Sequence, residues 1–279
     1  MKPAPFAYHK ARSLEDALAH LAAQKDARLL AGGQSLIATL NMRLSAPTLL
    51  IDINGIAGLD RIEVKGDVIE IGALVRHSQA ERSDVIAKHV PLLARAMPHI
   101  AHPAIRNRGT LGGSVAFADP AAELPACLLA LGGEIVASGP KGTRAIKADD
   151  FFKGLFDTAL APDEILTALR LPAAKPDTRI GFAELARRHG DYAIVGLAAT
   201  ARTAGSKLAD VRLSFFGVGD TPLRARQAEV ALAHGSIDDA VAALDLRPNE
   251  DVQATAETKK HLAGVLLRRV AKQLMEART

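Results

Sequence analysis

The chain has one cysteine, Cys127, among 279 residues. A lone thiol closes no intrachain disulfide, and it cannot supply a four-cysteine iron–sulfur site or a cysteine-rich zinc site. Its neighbours are apolar and helix-forming, so Cys127 reads as a buried, inert thiol. Tryptophan is absent and tyrosine occurs twice. Lysines and arginines are scattered and never interleave with aromatics, which argues against nucleic-acid binding. No apolar run reaches membrane-spanning length, and Met1 to Lys10 holds no signal-peptide core, so a cytoplasmic location is expected. Two common phosphate signatures are also missing. There is no Gly-x-Gly-x-x-Gly within a βαβ unit ahead of a ribose-binding acid, and no Gly-x-x-x-x-Gly-Lys-Ser/Thr loop. There is no convincing internal repeat and no low-complexity tract.

What is present is a soluble, core-forming composition, 48% hydrophobic and 24% charged. The length favours two domains over one. The net charge of +4 gives at most a mild bias towards anionic ligands. Two glycine-rich stretches stand out. The first, Leu29-Leu30-Ala31-Gly32-Gly33-Gln34-Ser35-Leu36, reads as a short strand, a turn and a helix reaching about Arg43. The second, Arg106 to Ser114, places Gly109, Gly112 and Gly113 beside Thr110 and Ser114. Glycine lets a backbone turn sharply and bring its N–H groups close to an anion. Asp119-Pro120 then reads as N-cap and first turn of a helix over about 121–131. One Gly-Gly pair mostly just turns a chain. Two such loops with hydroxyl and amide donors suggest a ligand with two linked phosphates, as in a dinucleotide.

The remaining chain supplies a framework. Ser13 to Asp16 resembles a capping box, with Leu14, Leu18 and Leu21 on one helical face. Thr48 to Ile53 reads as a strand. Arg61 to Gly72 alternates around Lys65-Gly66-Asp67 and reads as a hairpin. Ser78 opens a helix to about Val90, and a second short helix covers Pro91 to His99. Glu134 to Ile146 reads as a hairpin around Gly139 to Gly142, and Glu164 to Leu171 as a strand. Residues 172–178 are the best linker candidate. Beyond it, Ile180–Arg187, Tyr192–Arg202 and Leu208–Phe216 read as an antiparallel meander. Helices near Leu223–His234, Ser236–Leu244 and Thr255–Ala277 follow. The last of these shows Leu262, Val265, Leu266, Val270 and Leu274 on one face. Strands followed by helices indicate an α+β domain.

The two loops, with Asp119-Pro120-Ala121-Ala122-Glu123 and Gly190-Asp191-Tyr192-Ala193-Ile194-Val195-Gly196, closely resemble the flavoprotein (medium) subunits of molybdenum hydroxylases of the carbon monoxide dehydrogenase and xanthine dehydrogenase type. The resemblance spans nearly the whole chain. It implies an α+β architecture: an FAD-binding fold of the vanillyl-alcohol-oxidase and p-cresol-methylhydroxylase type over residues 1–175, with subdomains of about 1–55 and 56–175. A C-terminal domain of the CO dehydrogenase flavoprotein type would cover 176–279.

The resemblance also implies roles. Leu29 to Leu36, with Gly32 to Ser35 at its centre, and Thr110, Leu111, Gly112, Gly113 and Ser114 would hold the FAD pyrophosphate. Ala101 and His102 would lie near the flavin, and Tyr192 against the isoalloxazine ring. Glu123 would reach the adenosine ribose. Ile165 and Leu166 would lie by the flavin pyrimidine edge or the adenine side. Phe117 stands where relatives commonly carry a polar residue. Read without the family, His102 is an ordinary loop histidine, Tyr192 a strand core residue, and Glu123 an acid favoured by the helix dipole. Arg106 and Arg108 are either solvated or hold the loop through its carbonyls.

The family further implies an oxidoreductase subunit that does not itself oxidise the substrate. Electrons from a molybdenum cofactor in a large subunit would pass through 2Fe–2S clusters in a small subunit to FAD here, then to NAD, a quinone, a cytochrome or oxygen. A dimer of heterotrimers is expected, with loose membrane association through a quinone acceptor as an option. Two other classes compete: a self-contained FAD-dependent reductase or oxidase of this fold, and a flavin-free assembly subunit. Activity from the isolated chain would favour the first, and a colourless complex the second.

Overall fold

The computed structural model describes residues 2–205 and 207–276. The first strands, Ala7–Lys10, Arg28–Leu30 and Leu49–Asp52, form a three-stranded parallel sheet with Leu49–Asp52 in the middle. Helix Leu14–Ala23 buries Ala17 and Leu21 against it, and Ser13 caps that helix by accepting from the Asp16 N–H. The helical spacing of those apolar residues and the cap explain why this segment is helical.

The second sheet has five antiparallel strands. Ile165–Pro172 lies at its centre, flanked by the hairpins Ile62–Lys65/Val68–Gly72 and Glu134–Gly139/Gly142–Lys147. Both hairpins follow the alternation seen in the sequence. The single helix expected from Ser78 to Val90 is instead two, His77–Glu81 and Asp84–His89. Ser83 breaks it, because its hydroxyl accepts from the Ile86 N–H and starts a new helix. The next helix is Pro91–Ala96, continued by a 3-10 turn over Met97–His99.

The third sheet is an antiparallel meander of Thr178–Leu185, Val195–Ala204 and Lys207–Phe216, with Leu223–Arg224 at its edge. The helix expected from Leu223 therefore begins later, at Arg226–Ala233. Helix Ala256–Met275 covers this sheet and buries Leu266, Leu267, Val270 and Leu274. Leu267 replaces Val265 on the expected face; Ala277, where the sequence reading ended the helix, lies outside the described residues. The proposed linker is tied down: the Ala173 N–H donates to Asp67 and the Ala174 N–H to His89.

Helix Glu123–Leu131 joins these layers. Every residue from Glu123 to Ala130 is buried. Ala126, Cys127 and Ala130 pack with Phe182, Ala193, Ala198 and Phe216 of the last sheet's side. The Thr200 hydroxyl donates to the Ala130 carbonyl at 2.6 Å, and Arg212 donates to that of Leu129. Burial pushes the Cys127 thiol far up, so it stays protonated as expected.

Candidate functional site

The first glycine stretch leaves the parallel sheet at Ala31, directly after strand Arg28–Leu30. Leu29 and Leu30 are half-buried, one edge in the sheet. Gly33 has φ +73°, a left-handed conformation that a side chain resists. The N–H groups of Gly32, Gly33, Gln34 and Ser35 donate to no acceptor among the described residues, while the Gln34 side-chain amide closes the loop onto the Gly32 carbonyl at 3.0 Å. Ser35 precedes helix Leu36–Asn41, and its hydroxyl does not cap it. Open N–H groups and a hydroxyl that does not cap the helix, on a glycine turn, form a cradle suited to an anion.

The second stretch is built differently. Two of its glycines, Gly112 and Gly113, lie in a helix, Leu111–Phe117, capped by the Thr110 hydroxyl, which accepts from the Gly113 N–H at 3.1 Å. The N–H groups of Leu111, Gly112 and Ser114 are also engaged, with Val75, Ala73 and Thr110 carbonyls. Leu111 and Gly112 are buried, whereas Gly113 and Ser114 reach the surface. The expected glycine nest is thus a packed helix start. A Cβ on Gly112 would lie 2.5 Å from that of Ala73, so glycine serves close packing there rather than a turn. The helix stops at Ala118, at φ +54°. Asp119 does not cap the next helix. Its carboxylate accepts from the Ala121 N–H at 2.9 Å in a separate turn, and the helix starts at Glu123, with Pro125 in its first turn, where the missing N–H costs no helical bond.

The two stretches meet. A Cβ on Gly32 would lie 2.4 Å from the Arg108 carbonyl oxygen and 2.7 Å from the Gly109 Cα. Two residues that the sequence reading missed brace this junction. The Asn54 amide donates to the Ala31 carbonyl at 2.8 Å, and its carbonyl oxygen accepts from Arg76 at 2.7 Å. Arg76 also donates to the Arg108 carbonyl. Asn54 thus holds the first loop and Arg76 the second. The one available signal was a polar pair at strand ends, Asn54 just after the strand Leu49–Asp52 and Arg76 shortly after Val68–Gly72. Beneath the second loop, His77 packs against Gly109. Burial pushes its pKa down to about 4, assisted by Arg106 and Arg76.

A cleft of about 610 Å³ opens beside the loops, lined by Ala101, His102, Ile105, Gly190, Asp191 and Tyr192. Ala101 takes φ +48°, held by Arg106, which donates to the Ile100 and Ala101 carbonyls at 3.0 Å and pairs with Glu81 at 2.9 Å. Arg106 therefore holds the loop and is not solvated. Gly190, at φ +88°, seats against this turn; a Cβ would lie 2.8 Å from the Ala101 oxygen. His102 is exposed at the cleft mouth. Tyr192 is not a strand residue. It precedes strand Val195–Ala204, is about half exposed, and sets its hydroxyl beside Ser35 and the Asp119 carboxylate. Burial, with Asp119 and Glu123 nearby, pushes that phenol up to about 12.

Glu123 is buried beneath these groups, and burial followed by the nearby acids raises its pKa to about 8. Glu184 lies close to it, pairs with His99 at 3.2 Å, and has a second oxygen with no hydrogen-bond partner among the described residues. Ile165 and Leu166 sit apart. Ile165 is fully enclosed in the core around the parallel sheet, and Leu166 in that of the five-stranded sheet. Neither residue lines the cleft beside the loops. Phe117 packs edge-on against Phe156.

Loop cradle, bracing residues and adjoining cleft have the features of a dinucleotide-binding protein. The open N–H groups, the Ser35 and Ser114 hydroxyls and the cleft fit the pyrophosphate and ring of FAD. Residues 4–174 match the family described as FAD binding domain in molybdopterin dehydrogenase, and residues 180–274 match the CO dehydrogenase flavoprotein C-terminal domain. The chain belongs to the FAD-binding medium subunits of the molybdenum hydroxylases, components of oxidoreductase complexes. It is 40% identical to the nicotine 6-hydroxylase medium subunit of Paenarthrobacter nicotinovorans over 96% of this chain and 97% of that one. It is 36% identical to the carbon monoxide dehydrogenase medium chain of Afipia carboxidovorans over 98% of each. The fold superposes on a carbon monoxide dehydrogenase structure from Hydrogenophaga pseudoflava with a TM-score of 0.96, at 36% identity and 98% coverage of both chains.

Proposed function

We propose that the chain is the FAD-carrying subunit of a heteromeric molybdenum hydroxylase, passing electrons from 2Fe–2S clusters of a partner subunit through FAD to an external acceptor. The observation that carries this reading is the contact of Gly32 with Arg108 and Gly109, which brings the two loops to one place. When bound, FAD supplies a flavin that takes up and releases electrons singly or in pairs. The protein's part is to bind and orient it. The N–H groups of Gly32 to Ser35 and the Ser114 hydroxyl would hold the pyrophosphate. Thr110, Leu111 and Gly112 act indirectly, by fixing the helix that presents Gly113 and Ser114. Ala101, His102 and Tyr192, which line the cleft, would hold the flavin ring, with the Tyr192 hydroxyl beside Ser35 and Asp119. Glu123 would serve the adenosine side, where its raised pKa would let it donate a hydrogen bond to a ribose hydroxyl.

The single cysteine cannot hold iron–sulfur clusters, so they belong to a small subunit, and the molybdenum cofactor to a large one. A cytoplasmic dimer of heterotrimers completes the reading, with a quinone among the possible classes of acceptor. Among the described residues no helix is long and apolar enough to cross a membrane. To test this, the tagged chain is drawn from its native cells, and FAD, iron and molybdenum are measured in the recovered material. All three in fixed proportion are expected. Recovery of the chain alone, with full catalytic turnover, contradicts the proposal.

A further inference from the structure

A cluster outside the flavin site has the composition of a metal centre. His9 lies in the outer strand Ala7–Lys10, beside helix Leu14–Ala23, which carries Asp16 and His20 one turn apart. His9 Nε2 lies 3.1 Å from one oxygen of the Asp16 carboxylate, and His20 Nε2 lies 3.5 Å from the other. The two imidazoles face each other with centroids 3.7 Å apart. One ligand atom from each residue lies within 4.8 Å of the other two. Bonds of about 2.0–2.1 Å from a tetrahedral ion set neighbouring ligand atoms about 3.3 Å apart, close to these spacings. The carboxylate is already fixed, because it accepts from the Arg12 N–H at 2.9 Å. All three residues are half-buried.

We propose that His9, Asp16 and His20 form a binding site for a divalent metal ion of the zinc class. Two imidazoles and one carboxylate suit a borderline cation better than a hard one such as magnesium. The ion would clip the strand Ala7–Lys10 to the following helix. That strand pairs with Leu49–Asp52, which pairs on its other edge with Arg28–Leu30, the strand that leads into the first glycine loop. The clip thus braces the sheet from which the cradle projects, without touching the flavin cleft.

The test uses the full chain with no histidine tag, stripped with a chelator and titrated with zinc chloride by calorimetry. The wild type is expected to take up one zinc ion per chain at a saturable site, and its thermal midpoint to rise with zinc. His20→Leu and His9→Gln are each expected to weaken that uptake at least tenfold and to abolish the thermal response. Their flavin content, measured alongside, reports that they remain folded. Absence of saturable zinc binding in the wild type overturns the proposal, and so does zinc binding that is unchanged in the His9→Gln/His20→Leu double variant.

Discussion

The space where Gly32 would carry a side chain is filled by the Arg108 carbonyl, 2.4 Å from the position a Cβ would take. Gly32→Val must therefore part the two loops. Overpacking of this kind costs about 1–3 kcal/mol. Flavin content per folded protein, read from absorbance with circular dichroism as the folding control, is expected to fall several-fold. Gly33→Val is expected to do the same for another reason, its left-handed φ of +73°. Gly112→Val acts through Ala73 and shows first as lost stability. Full flavin content in the Gly32 and Gly33 variants would remove the first loop from the site.

Asn54 and Arg76 form one brace, so their losses overlap. Arg76→Ala removes charged hydrogen bonds to the Arg108 carbonyl and to Asn54. Bonds to a charged group are worth about 1.5–3 kcal/mol. FAD affinity, measured by flavin fluorescence on reconstitution, is expected to weaken at least tenfold. Asn54→Ala is expected to weaken it similarly. The double variant should lose less than the two single effects added together, the signature of a shared interaction. Strict additivity would mean the two side chains act separately.

Glu123 makes stability depend on pH in a defined direction. Its carboxyl holds a proton up to about 8 in the folded chain, against an ordinary value of 4.5. Between those values the folded chain binds a proton that the unfolded chain releases, so stability falls as pH rises. The contribution is complete below about 4.5 and lost as pH passes about 8. Thermal midpoints taken across this window should decline in the wild type and decline less steeply in Glu123→Gln. Parallel curves would place the proton elsewhere.

Tyr192 reaches from the C-terminal part to the first loop, with its hydroxyl beside Ser35 and Asp119. Tyr192→Phe keeps the ring and removes that link. Flavin retention through gel filtration is expected to drop by up to about tenfold, the scale of one lost hydrogen bond. Unchanged retention would limit Tyr192 to ring contact.

Much of this organisation was legible in local pattern. The hairpin of Arg61 to Gly72 and the meander ending at Phe216 announce themselves by alternation and glycine turns, which depend on neighbours in sequence. The glycines at 112 and 113 show why a motif can be found and its geometry misread. A missing Cβ can serve a positive φ or a close contact, and only Ala73 packed against Gly112 decides which. The apolar strand pattern of Ile165 and Leu166 does not say which core encloses each of them. Asn54 and Arg76 were not legible because their partners lie 22 to 32 residues away and meet them only in the folded chain. Ser83 lies inside the segment read as one helix from Ser78, and the cap bond to Ile86 that breaks it forms only in the folded backbone.

The central claim is that two loops of this one chain clasp FAD non-covalently. The purified native protein is heat-denatured, the polypeptide removed, and the flavin in the supernatant identified and counted against the chain. The account predicts FAD, released in full and equimolar with the chain. FMN in its place, flavin left on the polypeptide, or no flavin at all would contradict it.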